Sequence, residues 1–218
     1  MWCIPKVSSE YVACMEDVLD VYMQPVDPLR PRICFDERPT QLLGDVIAPI
    51  PMSVGQAKRI DYQYERFGSG NLFMMVAPFL GWREVKATET RKKVDFAQCM
   101  KDLVDIHFPD AEIITVVLDN LNTHTYGALY TAFSPEEARR IARKLDFHYT
   151  PKHASWLNMA EIEISVLSRQ CLKQRIPSLE RLTQVVYSWT KRRNQQQAKI
   201  DWCFDLTKAR TKLARLYP

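Results

Sequence analysis

The sequence lacks any apolar run long enough to cross a membrane. Its longest uninterrupted apolar runs, such as Leu72–Ala77, hold about six residues, whereas a membrane-spanning helix needs about 20. The first residues also lack the basic and then apolar layout of a secretory signal. The sequence therefore predicts no membrane partner and no export.

Paired cysteine spacings are also absent. The chain has six scattered cysteines, at positions 3, 14, 34, 99, 171 and 203. No two of them have the close spacing typical of a zinc knuckle or of a disulfide framework. This pattern predicts reduced thiols and a cytoplasmic location.

The charges are unevenly distributed along the chain. Residues 169–218 hold 12 Lys and Arg against 3 Asp and Glu, a local charge of 12 − 3 = +9. The first 168 residues hold 18 against 23, a local charge of 18 − 23 = −5, which completes the net +4. A basic tail on an acidic body favours a polyanion as the partner of the tail. Helices with a solvated basic face are an equally good explanation of the same pattern.

The most informative segment is Ile113–Leu118, which runs directly into Asp119. All six of its residues are β-branched or Leu, with no polar alternation apart from one threonine. Such a run predicts a strand buried on both faces in the middle of a sheet. Chemistry in α/β folds is usually found at the carboxyl ends of such strands. Asp119 is therefore either the cap of a loop or a ligand.

Proline and glycine determine two further strand predictions. Arg32–Arg38 is predicted as a short strand that ends in carboxylates, with Pro39 stopping it. Asp61–Arg66 and Asn71–Ala77 are predicted as the strands of a hairpin, with Phe67–Gly70 as its turn.

The remaining segments alternate between helix and strand. Ser8 or Ser9 caps a predicted helix that ends near Met23, and Ser134 with Pro135 opens another. The other predicted helices cover residues 93–107, 157–173, 178–196 and 205–216, and the other strands cover 81–87 and 146–150. This order predicts an α/β fold with a mixed sheet and helices on both faces.

Three carboxylates can meet at one edge of this sheet. Asp36 and Asp119 both follow apolar strand residues, and a third carboxylate is expected from the helix that contains Glu161 and Glu163. Carboxylates without histidine or cysteine ligands suit a hard cation such as Mg²⁺ or Mn²⁺. Two such ions would activate water and stabilise the leaving oxygen in phosphodiester cleavage.

Several motifs together resemble the catalytic domain of mariner-type DDE transposases, in the branch found in bacterial insertion sequences. The resemblance covers nearly the whole chain, and any one motif alone would be weak. The motifs are Cys34–Pro39, Asp61–Arg66 with Gly68, Asn71–Phe73, Leu118–Asn120 with His124, and Ser155, Asn158 and Glu161.

The resemblance implies an RNase H-like fold and a set of functional residues. It implies that Asp36, Asp119 and Glu161 bind two Mg²⁺ or Mn²⁺ ions. The expected activity is cleavage of phosphodiester bonds at transposon ends, followed by joining of the 3′-hydroxyl ends to target DNA. We expect residues 1–31 to form a helix and linker, 32–173 the RNase H-like catalytic core, and 174–218 basic helices packed on the core or extending it.

Two alternatives concern neighbouring acidic residues. Asp36 and Glu37 must face opposite sides of a strand, so only one can point at the site. Glu161 and Glu163 lie about 200° apart on a helix and cannot serve one site together. Periodicity does not choose between the two glutamates, whereas the resemblance favours Asp36 and Glu161.

Further residues are weaker candidates for DNA contacts. His124 is expected to position a phosphate or Asp119, and Asn120 or Asn158 could orient carboxylates or act only in turns. For the basic residues, ordinary surface charge is the alternative to phosphate contact. The complete set is Asn120, His124, Lys152, His153, Asn158, Lys191, Arg192 and Arg193.

The resemblance also suggests partners. Family members usually begin with helix-turn-helix modules that read the element ends, and Met1–Pro5 looks like the linker after them. We therefore expect a separately encoded or frameshift-joined helix-turn-helix part, a homodimer, and DNA from element ends and target. Two rival functions stay open: a catalytically silent module that inhibits a full-length transposase, and another RNase H-like nuclease.

Overall fold

The computed structural model describes residues 8–217, so Met1–Pro5 lies outside the described residues. Its centre is a five-stranded sheet in the order β3-β2-β1-β4-β5. The strands are β1 (Arg32–Asp45), β2 (Tyr64–Ala77), β3 (Trp82–Thr88), β4 (Ile114–Leu118) and β5 (Leu145–Tyr149). β1, β2 and β3 are antiparallel neighbours, whereas β1, β4 and β5 run parallel. The prediction of a mixed sheet is confirmed.

Helices cover both faces of the sheet, as predicted. The helices are α1 (Ser9–Met23), α2 (Lys93–Asp102), α3 (Tyr126–Ala132), α4 (Pro135–Ala142), α5 (Ala160–Gln170), α6 (Leu179–Gln195) and α7 (Leu206–Lys212). One hydrophobic core lies between the sheet and α1, α5, α6 and α7. A second core lies between the opposite face and α2, α3 and α4. Within residues 8–217, no helix is both long and apolar enough to cross a membrane.

The alternation of side chains along β1 and β4 determines which core each residue joins. Cys34 and Val117 belong to the core beneath α1 and α5, whereas Phe35, Val116 and Leu118 belong to the core beneath α2 and α3. Continuing the alternation by two residues puts Asp36, and Asp119 just past β4, on the α5 side of the sheet. Glu37 falls on the α2 side.

The predicted hairpin and the predicted stop at Pro39 are wrong. Residues 64–77 form one continuous strand that pairs with β1, and Pro39 pairs opposite Asn71 inside β1. β1 contacts β4 only through Arg32–Cys34, so Pro39 lies where one side of the strand is unpaired, a position that tolerates proline. Gly68, with φ of +97°, lies at a register shift of this pair, so the glycine supports a bulge rather than a turn.

Two helix predictions need correction. The helix opened by Ser134 ends at Ala142 instead of near Leu145, and α3 was not predicted. α3 is only seven residues long and has no side-chain cap, so it has little of the periodic or capping pattern by which helices are found in a sequence.

Candidate active site

Asp36 is a half-buried carboxylate on β1 that faces α5. Its Oδ1 accepts a hydrogen bond of 2.8 Å from the backbone N–H of Glu37, and its Oδ2 lies 3.4 Å from Nδ2 of Asn158. Burial raises the pKa of Asp36, and the negative charges of Glu161 and Asp119 raise it further, to about 7 although the Glu37 N–H lowers it. Asp36 is therefore a half-buried acid on which the charges of two other carboxylates act.

Asn158 connects Asp36 to the helix that carries Glu161. Its buried side-chain amide donates to the backbone oxygen of Phe35 at 2.8 Å. Its side-chain oxygen accepts from the N–H of Ala160 at 3.1 Å, at the start of α5. These bonds fix the first turn of α5 against β1, next to Asp36. The amide is used inside the protein rather than presented to solvent.

Asp119 follows β4 directly and is bound to His124. Oδ1 of Asp119 lies 2.6 Å from Nδ1 of His124 and also accepts from the N–H of Leu121 at 3.3 Å. Burial would raise the pKa of Asp119, but the hydrogen bond and positive charge of His124 outweigh it and lower the pKa. The position of His124 beside Asp119 agrees with one of the two roles expected for it.

His124 is fully buried and lies between two carboxylates. Its Nε2 approaches Oε2 of Glu37 to 2.9 Å, although the angle is too poor for an aligned hydrogen bond. The contact is therefore an ion pair. Burial lowers the pKa of His124, but the hydrogen bond with Asp119 and the negative charges of Glu37 and Asp119 raise it to about 9. At neutral pH the ring is an imidazolium.

Glu161 and Glu163 have different environments on α5. Glu161 is exposed, and its charge acts on Asp36. Glu163 is buried, and its Oε1 lies 2.6 Å from Arg193 and 3.4 Å from Arg83. Glu163 is thus neutralised inside the protein, whereas Glu161 is left free to face a ligand.

The charges of Asp119 and Glu161 act on Asp36, but the three carboxylates do not form a metal cluster. Within residues 8–217, no group of three potential ligands is close enough to hold a metal ion as it stands. Asp119 is turned toward His124, and Asp36 has no cationic partner among the described residues. Carboxylate oxygens are hard donors that fit a divalent ion such as Mg²⁺, and binding would require Asp119 to present its second oxygen.

Three of the weaker DNA candidates line a cavity beside Asp119. Asn120, Lys152 and His153 lie on its wall, with Tyr149 and part of α1, and its volume is about 430 Å³. Lys152 and His153 are exposed, and His153 has the unusual φ of +62°. The cavity is open to solvent, and Asn120 on its wall is the residue that follows Asp119.

The basic candidates on α6 lie elsewhere. α6 packs against β3, which is the opposite edge of the sheet from β5. Lys191 and Arg192 are exposed there, whereas Arg193 is paired with Glu163. The structure therefore does not bring these three residues to the carboxylates, and the guanidinium of Arg193 already has a partner.

The sheet order, the helices on both faces, the carboxylate of Asp36 within β1 and that of Asp119 directly after β4 are those of an RNase H-like α/β fold. Residues 31–183 match the family model described as DDE superfamily endonuclease. The chain belongs to this family. No curated protein matches the chain.

Solved structures of the Mos1 transposase have a similar fold. The Mos1 mariner paired end complex with Mn matches with a TM-score of 0.56 and 14% identity, over 91% of this chain and 61% of that chain. The Mos1 strand transfer complex matches with a TM-score of 0.58 and 12% identity, over 91% and 61%. The chain thus spans about three fifths of the length of these Mos1 chains. At this identity the likeness shows the fold alone.

Proposed function

We propose that this chain is the catalytic core of a transposase from a bacterial insertion sequence. It would cleave phosphodiester bonds at the element ends and join the 3′-hydroxyl ends to target DNA. The observation that carries the proposal is that the negative charges of Asp119 and Glu161 raise the pKa of Asp36. The three residues come from three distant parts of the chain. Membership of an endonuclease family supports it.

In this proposal the three carboxylates hold two Mg²⁺ or Mn²⁺ ions. When bound, such ions activate the attacking water or hydroxyl and stabilise the leaving oxygen. The chain supplies the ligands and their orientation: Asn158 holds Asp36 beside α5, and His124 holds one oxygen of Asp119. In-line displacement at phosphorus depends on positioning and charge neutralisation, so no protein nucleophile is required.

DNA is the proposed partner of the exposed basic surface. We infer that Lys191 and Arg192 contact phosphates, because both are exposed on α6 and neither is part of an ion pair in residues 8–217. Lys152 and His153, which share a cavity wall with Asn120, would contact the DNA backbone near the cleaved bond. Arg193 is a weaker candidate since Glu163 already occupies it.

The double substitution Lys191→Gln and Arg192→Gln is expected to weaken DNA binding at every sequence tested. Because each phosphate contact contributes about −1 to the slope of the logarithm of the binding constant against the logarithm of the salt concentration, loss of two contacts should make this slope less negative by about 2. The measurement is fluorescence anisotropy of a labelled duplex from 50 to 200 mM salt. The pair Arg139→Gln and Arg143→Gln, exposed on α4 and at its C-cap under the other face of the sheet, is the matched control. An unchanged slope would assign these charges to solvation only.

A homodimer is the proposed assembly. The β1–β2 connection, residues 46–63, carries exposed apolar side chains: Val46, Ile47, Ile50, Met52, Val54, Ile60 and Tyr62. Apolar groups exposed together usually mark an interface. A second copy of the chain is the proposed partner of this connection, and a helix-turn-helix part would be a further partner.

The test of the function is a cleavage and joining assay. A plasmid that carries the element ends is incubated with the chain and Mg²⁺ or Mn²⁺, with and without a separately supplied helix-turn-helix part. We expect nicks at the ends and joined products in a target plasmid. Binding or dimerisation without cleavage in Mn²⁺ would instead favour an inhibitory module. Cleavage of RNA–DNA hybrids without joining would favour another RNase H-like nuclease.

A further inference from the structure

Glu37 is the nearest acidic neighbour of Asp36 in the chain, yet it lies on the other face of the sheet. Its side chain shares the α2 face with Phe35, whereas Asp36 faces α5. Glu37 is almost entirely buried, at 7% exposed. A carboxylate in such a place needs a charged partner, because an unpaired buried charge is costly.

His124 is that partner, and it reaches Asp119 through its other nitrogen. Nε2 lies 2.9 Å from Glu37 and Nδ1 lies 2.6 Å from Asp119. Nε2 and Oε2 of Glu37 have no hydrogen-bond partner in residues 8–217, so the attraction between the two must offset their burial. Arg91 is the other cation near Glu37, but it is exposed and lies 3.8 Å from Oε1.

The ring of His124 is also held by packing. It meets Phe35 edge-on, with centroids 5.2 Å apart, and it lies over Phe96 at 4.8 Å. The hydroxyl of Tyr149 donates to its backbone oxygen at 2.9 Å. Because these contacts restrain His124, the contact of Nε2 with Glu37 also restrains the position of Nδ1 beside Asp119.

Only one oxygen of Asp119 takes part in this chain of contacts. Oδ1 accepts from both His124 and the N–H of Leu121, while no hydrogen bond among residues 8–217 reaches Oδ2. Fixing Oδ1 in this way leaves Oδ2 available to a cation. Groups bound to a metal ligand in this manner set the orientation of the ligand.

We propose that Glu37 is a positioning residue that acts through His124 to hold Asp119 ready for a divalent ion. The proposal rests on the proposed function, since it takes Asp119 as a metal ligand. Glu37 would not touch the metal itself. Its carboxylate would fix the orientation of the imidazole, so that Oδ1 of Asp119 is held and Oδ2 stays available to the ion.

The test measures Mn²⁺ binding rather than cleavage. The full chain is titrated with Mn²⁺, and free Mn²⁺ is followed by electron paramagnetic resonance. Glu37→Gln is expected to weaken binding about tenfold, the usual size for loss of a group that orients a metal ligand. Glu37→Asp keeps the charge but withdraws it from His124, and it should weaken binding as well. Wild-type affinity in Glu37→Asp would mean that only the nearby charge matters and would overturn the proposal.

A double-substitution cycle separates action through His124 from an independent effect. His124→Gln should weaken Mn²⁺ binding about tenfold, and Glu37→Gln added to it should cause little further loss, because effects along one chain of contacts do not add. Independent losses that multiply to about a hundredfold would overturn the role of His124. Unfolding curves of each variant identify any loss that is due to unfolding.

Asp119→Asn distinguishes failure of this inference from failure of the proposed function. If Asp119→Asn removes Mn²⁺ binding while Glu37→Gln and Glu37→Asp bind like the wild type, only the role of Glu37 is wrong. If Asp119→Asn also binds Mn²⁺ like the wild type, Asp119 is not a metal ligand and the proposed function fails with it.

Discussion

Asp36→Asn and Asp119→Asn are each expected to lower metal-dependent nicking by about a thousandfold, or about 4 kcal/mol in activation free energy. An amide nearly preserves the shape of the side chain but removes the negative charge that a divalent ion needs. The measurement is the rate of plasmid nicking in Mg²⁺ under single-turnover conditions. Glu136→Gln, an exposed carboxylate at the start of α4, is the matched control and should nick at the wild-type rate.

The same Asp36→Asn substitution is expected to make the metal-free protein more stable. The pKa of Asp36 is raised to about 7 by burial and by neighbouring carboxylates, so folding of the metal-free chain is opposed when Asp36 must ionise. The contribution of Asp36 is therefore most favourable below its unfolded pKa and declines as the pH rises toward 7. Asp36→Asn removes this charge and should raise the free energy of unfolding by on the order of 2 kcal/mol at pH 8, after a discount for solvent screening.

The measurement that checks this prediction is thermal unfolding with and without Mn²⁺. Wild-type protein should be stabilised by Mn²⁺, because a ligand that binds only the folded state raises its stability. Asp36→Asn should start from a higher melting temperature and respond less to the ion. A variant that keeps full nicking activity, or that is destabilised at pH 8, would remove Asp36 from the proposed site.

The sequence was sufficient for the central strand and for the helices with strong caps. Ile114–Leu118 is entirely buried, as its unbroken apolar run predicts. Ser8 caps α1 and Ser134 caps α4 through their side-chain oxygens. These features are local, because a cap or an apolar run specifies its own structure within a few residues.

The predicted β2 hairpin failed for a physical reason. A glycine with positive φ is needed both in tight turns and in bulges, and the local sequence does not distinguish them. Pairing with β1 over the length of β2 decides in favour of the bulge. That pairing is a long-range property, since it depends on where the β1–β2 connection returns the chain.

In the candidate site, too, local features were predicted from the sequence whereas a long-range contact was not. Motif resemblance pointed to Asp36, Asp119 and Glu161, and local periodicity predicted that Asp36 and Glu37 face opposite ways. The contact between Glu37 and His124 was not foreseen, because it joins residues 87 positions apart. The sequence did place Asp119 and His124 close together across a short polar loop, and this spacing indicated a contact between the two. It gave no indication that Glu37 also contacts His124.

Glu163 is buried in an ion pair, so its replacement is expected to lower the stability of the protein. Arg83 and Glu163 have side chains 0% and 1% exposed, and Arg83 also contacts the side chain of Asn194 and the backbone oxygen of Ala198. Glu163→Gln would leave the charge of Arg83 buried without a carboxylate. Breaking such a pair costs about 3–5 kcal/mol, so we expect a loss of this size in urea unfolding.

Glu161→Gln is the matched control on the same helix, with the opposite pattern of effects. Its side chain is exposed, so its unfolding free energy should change by less than about 0.5 kcal/mol, while nicking should be lost. Adding Arg83→Met to Glu163→Gln removes the unpaired buried charge of Arg83. The double variant should recover part of the lost stability, because apolar replacements of buried ion pairs are tolerated. If Glu163→Gln instead unfolds like the wild type and loses nicking, the assignments of the two glutamates are reversed: Glu163 would be the ligand, and its contacts with Arg83 and Arg193 would have to open when the ion binds.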